Sequence, residues 1–150
     1  MPSLFFPVLL LCCGYAFFRG GPPERICAVV MVAGAALSLL AMLLSSARFA
    51  HLEIGVFVVD LAVLAGFVGI ALFSERYWPM WMSSMQLVAV MSHSTSLLIS
   101  TPMPWAYAVA IAFWGYPMLA MLAWGTARHR GRVRRFQWDP SWVSRQRLAP

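Results

Sequence analysis

The chain has 150 residues, of which 61% are hydrophobic and only 11% charged, and its mean hydropathy is +0.75. Soluble domains are nearer a quarter charged, so this balance excludes one, and it equally excludes a disordered chain, which would be short of apolar residues. Net charge is +6, carried by eleven arginines and no lysine; they sit beside apolar runs, where a membrane surface takes precedence over nucleic acid as the partner.

Five apolar runs follow one another, at 4–18, 26–46, 54–73, 81–100 and 105–125. The last four are each about 20 residues long, which at 1.5 Å per residue crosses ~30 Å of hydrocarbon. A segment in lipid must satisfy its own backbone, so these runs are expected to be helices, and none alternates as a barrel strand does. The first run is shorter. Met1-Pro2-Ser3 has no charged side chain and no good cleavage site follows, so a short span ending at Arg19 is expected rather than a signal peptide. The expected fold class is therefore all-α: a polytopic membrane bundle of five transmembrane helices, four plus a short N-terminal span, over 1–126. Residues 127–150 are expected to form a basic cytoplasmic tail with a short interfacial helix.

The expected connections are 19–25, 47–53, 74–80 and 101–104, short enough to make consecutive helices antiparallel neighbours. Gly20-Gly21-Pro22-Pro23 and Thr101-Pro102-Met103-Pro104 read as breakers. With the N-terminus outside, ten arginines face inward and one, Arg48, faces outward, which sets the orientation by the positive-inside rule. Trp78, Trp81, Trp105 and Trp124 fall at span ends, where amphipathic rings belong. Pro117 predicts a kink in the fifth helix. Ala62 with Gly66, and Ala65 with Gly69, are small-residue pairs suited to close helix packing.

Ionisable groups inside the membrane are costly, which makes them the default functional candidates. Asp60 and His93 both fall roughly 9–11 Å below the outer surface by residue count, on adjacent antiparallel helices. Gln86, His93 and Ser100 are spaced by seven, with Ser96 between, so the fourth helix carries one polar stripe. Glu53 shares the Asp60 face, and Arg48 and His51 lie above. The candidate site is thus a polar pocket opening outward, with Asp60 and His93 facing one another at its floor and Gln86, Ser96, Glu53, Arg48 and His51 around it. The plainer alternative is a pair that only holds two helices in register.

No catalytic motif is recognisable, the three cysteines form no CxxC, and the methionines show no repeated pattern, so no catalytic residue, metal or cofactor is expected. In the tail, Arg128, Arg130, Arg132, Arg134 and Arg135, with Trp138 and Trp142, are expected to anchor on anionic lipid. Asp139-Pro140 would start the interfacial helix.

From Asp60-Leu61 through Arg76-Tyr77-Trp78-Pro79-x-Trp81 and Gln86-Leu87 to His93, the chain resembles a group of short bacterial multi-pass inner-membrane proteins of uncharacterised function. The resemblance covers the third and fourth helices, under a third of the chain, and implies no activity, cofactor or partner. The expected function is a non-enzymatic accessory or scaffold subunit. Its partners would be the bilayer, anionic lipids, and other membrane subunits or a second copy. The alternative is a proton- or small-solute-handling permease component using the Asp–His pair. A membrane enzyme or cytochrome ranks third.

Overall fold

The computed structural model describes residues 2–44, 49–98 and 104–136, with side chains from 4 to 135 apart from 42, 44–53 and 95–112. The described chain is all-helical: α1 (Pro2–Arg19), α2 (Pro22–Leu44), α3 (Phe49–Phe73), α4 (Trp78–Leu98) and α5 (Pro104–Phe136). Consecutive helices pack on one another, and α1 closes the ring against α5.

Prolines expected in the connections begin helices instead. Pro22-Pro23 opens α2, Pro79 is the second residue of α4, and Pro104 opens α5. Proline suits the first turn because its missing N–H has no intrahelical partner there and its φ is already helical. The first connection thereby shrinks to Gly20-Gly21. A Cβ at Gly20 would collide with the Ala16 carbonyl and the Glu24 side chain, so only glycine admits so tight a turn.

The fifth helix is also longer than its apolar run. It continues unbroken past the boundary expected at residue 126, so Arg128 to Arg135 ride on the helix that begins at Pro104. Arginine is a good helix former, and Gly125 and Gly131 cost only about 1 kcal/mol each. The remainder of the tail, with Trp138, Trp142 and the helix expected from Asp139, lies outside the described residues.

Among the described residues, two helices are long and apolar enough to cross a membrane, over Pro22–Ala41 and Ile54–Phe73, and α1 adds a shorter apolar stretch, Leu4–Arg19. The core gathers toward the end of the bundle where α1 finishes and α2 begins. It includes Ala16, Cys27, Phe67, Met82, Leu119 and Leu122. Cys13 and Cys27 are reduced, buried and act as small packing residues. Gly34 seats Val63, and Gly66 seats Val30, so α2 and α3 each offer a glycine notch to a valine of the other. Among the described residues nothing lies within 4 Å of a Cβ at Gly69, so no neighbour is seated there as Val30 is at Gly66. Trp78, expected at a lipid interface, is instead buried against Gly125, whereas Trp81 and Trp124 are exposed.

Outside this core the surface is apolar. Leu10, Leu11, Phe17 and Phe18 on α1, Leu37 and Leu43 on α2, and Leu72 and Phe73 on α3 are all exposed. So are Trp81, Leu87 and Met91 on α4, and Phe113, Tyr116 and Trp124 on α5. The buried residues, by contrast, include Glu24, Arg76, Gln86, His93 and Thr126.

Candidate functional site: two buried polar clusters

The first cluster joins α3 to α4. Asp60 stands about midway along α3, where the helix carries no other ionisable group within a turn, and His93 and Gln86 lie two turns apart on one face of α4. His93 Nε2 approaches Asp60 Oδ2 at 2.8 Å. Gln86 Nε2 donates to Asp60 Oδ1 at 3.1 Å and to the Asp60 carbonyl at 3.3 Å. Both carboxylate oxygens are thus engaged from the same neighbouring helix. The Asp60 side chain keeps 19% of its surface open, while His93 retains 5%. The structure therefore brings together Asp60, His93 and Gln86.

The remaining residues of the expected pocket fall beyond what is described. Arg48 and the side chains of His51, Glu53 and Ser96 lie outside the described residues. The serines beside His93 turn back on their own helix: Ser92 donates to the Val88 carbonyl at 2.9 Å and Ser94 to the Val90 carbonyl at 3.1 Å. A hydroxyl bonded four residues back is satisfied without a partner helix, so these groups need not line a pocket at all.

The second cluster was not among the expected sites. Glu24 in the first turn of α2, Arg76 in the α3–α4 connection and His129 on α5 converge at the arginine-rich end. Arg76 Nη1 lies 2.9 Å from Glu24 Oε1, with the two side chains 2% and 0% exposed. Arg76 Nη2 donates to His129 Nδ1 at 3.0 Å. A guanidinium has only donors, so Nδ1 is the acceptor and the ring's proton sits on Nε2. Gly21 makes room for this: a Cβ there would stand 3.0 Å from the His129 ring and 3.1 Å from Glu24 Oε2. The helix N-terminus also favours the Glu24 carboxylate. Nearby, Thr126 is fully buried and donates to the Leu122 carbonyl at 2.8 Å.

In the sequence Arg76 counts as an inward positive charge and as part of the resemblance motif, and Glu24 and His129 carry no expected role. The signal was available in principle. An antiparallel topology puts residues 24, 76 and 129 at one end, and an acid among so many arginines is an obvious ion-pair partner.

On α5, Arg128 stacks over Trp124 at 5.4 Å from the ring centroid. Arg128, Arg134 and Arg135 are exposed, and Arg130 and Arg132 are half-buried. Among the described residues, no three His, Cys, Asp or Glu side chains gather as a metal site. No family model matches the chain, and no curated protein or solved structure is significantly similar to it.

Proposed function

We propose that the protein is a small integral protein of the bacterial inner (plasma) membrane, crossing it five times with its N-terminus outside and its C-terminus in the cytoplasm. We further propose that it serves as an accessory or scaffold subunit rather than as an enzyme. One observation carries the membrane reading: the bundle is apolar outside and charged within. All five helices expose large apolar side chains, while Glu24, Arg76, Gln86 and His93 are buried. In water such a surface would aggregate; against lipid it is the low-energy arrangement. The spans of α2 and α3 meet the length criterion, and the exposed faces of α1, α4 and α5 continue the same belt.

Orientation follows from the arginines. Arg19, Arg25, Arg76 and the arginines of α5 share one end, which the positive-inside rule assigns to the cytoplasm. Anionic lipid is the expected partner of the exposed arginines there.

The subunit reading rests on how the polar clusters are used. Each joins helices and meets its charge internally: Asp60 has both oxygens engaged, and Glu24 and Arg76 bury one another. That is how polar groups act as ties between helices in lipid. A permease component would instead hold the Asp60–His93 pair open to a solute.

Reporter fusions at Thr101 and Pro150 should read opposite compartments, outside and cytoplasmic. A cytoplasmic signal at Thr101 overturns the orientation. Gentle extraction from native membranes should yield a particle with fixed stoichiometric subunits beyond this chain. A lone chain that moves protons or solute after reconstitution, and loses this with Asp60→Asn, would establish the permease alternative instead.

A further inference from the structure

A groove of about 420 Å³ runs between α1 and α2, lined almost wholly by apolar atoms. Its walls are two ridges of residues four apart: Leu10, Gly14 and Phe18 on α1, and Ala28, Val32 and Ala36 on α2. Each ridge covers nine residues, eight rises of ~1.5 Å, so the groove is about 12 Å long, starts at the arginine-rich end and reaches most of the way through one ~15 Å leaflet. Gly14 hollows it, since nothing lies within 4 Å of where its Cβ would stand.

Arg25 stands at the mouth. It lies three residues before Ala28, on the face that carries Ala28, Val32 and Ala36, and it is exposed. The neighbouring acid does not cancel it, because Glu24 is turned inward and paired with Arg76. The positive end of the α2 dipole and the exposed Arg19 reinforce the potential there.

From this geometry we propose that the α1–α2 groove is a binding site for an anionic glycerophospholipid of the inner leaflet, one acyl chain lying in the groove and the phosphate held at Arg25. The inference rests on the membrane reading above. Chemistry selects the occupant. The lining offers almost no polar partner along its length, which suits a hydrocarbon chain, and the exposed Arg25 and Arg19 at the mouth suit a phosphate. Water gains nothing in so apolar a space.

The test uses the full chain, reconstituted in nanodiscs of equal phosphatidylglycerol and phosphatidylethanolamine, then released for native mass spectrometry. The wild type should retain one phosphatidylglycerol in preference to phosphatidylethanolamine. Arg25→Gln should lower that preference about fivefold, the effect of one arginine at a lipid surface. Gly14→Leu, whose side chain points into open space, should abolish retention of both lipids while helical content by circular dichroism stays unchanged. Inorganic phosphate alone should not displace the lipid.

Undiminished retention in Gly14→Leu overturns the site. So does displacement by phosphate, which would leave only a headgroup contact. A Gly14→Leu change that lowers the oligomeric mass instead of the lipid count overturns it in favour of a helix. Recovery of the wild type from membranes without detergent would overturn the membrane reading itself. A detergent-extracted, folded protein carrying no lipid overturns this inference alone.

Discussion

The two polar clusters differ in how many elements they join and in how completely they exclude solvent. The Asp60–His93–Gln86 cluster ties two sequential helices, and its acid retains 19% exposure. The Glu24–Arg76–His129 cluster ties α2, the α3–α4 connection and α5, and its ion pair is 0–2% exposed. Burying a full ion pair costs heavily in desolvation, and removal of one member leaves an uncompensated charge that cannot reach solvent. The difference teaches that the more conspicuous cluster, at mid-helix, need not carry more of the stability. The one at the end of the bundle fastens elements that are distant in sequence.

The sharpest way to break this contrast is Glu24→Ala. It leaves Arg76 buried without its acid and should cost about 3–5 kcal/mol, read as unfolding in detergent. Pairing Glu24→Leu with Arg76→Met should recover most of that loss. If Glu24→Ala costs less than Asp60→Ala, the ranking of the clusters is reversed.

Asp60→Ala and His93→Ala should each cost about 1–3 kcal/mol, because a partner is left half-satisfied. Their coupling in a double-mutant cycle should be about 0.6–1.7 kcal/mol, the range of polar contacts between membrane helices. Strictly additive losses would show that the 2.8 Å approach contributes nothing.

His129→Phe tests the third member of the end cluster. Arg76 keeps Glu24 when the Nδ1 acceptor is removed, and the cost should be about 1 kcal/mol. A loss as large as that of Glu24→Ala would mean that the histidine, not the carboxylate, holds Arg76.

The smallest effect sharpens the boundary of the mid-helix cluster. Ser92→Ala should change stability by less than about 0.5 kcal/mol, because its hydroxyl is bonded to the Val88 carbonyl of its own helix. A larger loss would show that the polar region around His93 extends beyond Asp60 and Gln86.

Much of the architecture was legible in the sequence. Apolar runs bounded by charges and prolines marked all five helices, because helix length and backbone satisfaction leave little choice. The Asp60–His93 contact was legible too, since residue counts alone put both groups at one depth on adjacent helices. Helix ends were harder. Proline signals a stop from one side and a start from the other, and Pro22-Pro23 opens α2. Gly125 looked like the end of α5, yet it is the notch that receives Trp78. The Glu24–Arg76–His129 cluster was hidden for a further reason. Its members lie near element ends, where charges are ordinarily solvated, and only three-dimensional packing shows that these are not.

The continuity of α5 has a mechanical consequence. The helix runs without a break from the buried Leu122 to the exposed Arg135, and its interior proline, Pro117, lies earlier in the chain than both. The stretch after Pro117 therefore has no further proline to interrupt it. Arg135 is six residues, about 9 Å, beyond His129 along the axis. The helix thus joins the exposed arginines to the imidazole, and through Arg76 to Glu24 at the base of α2.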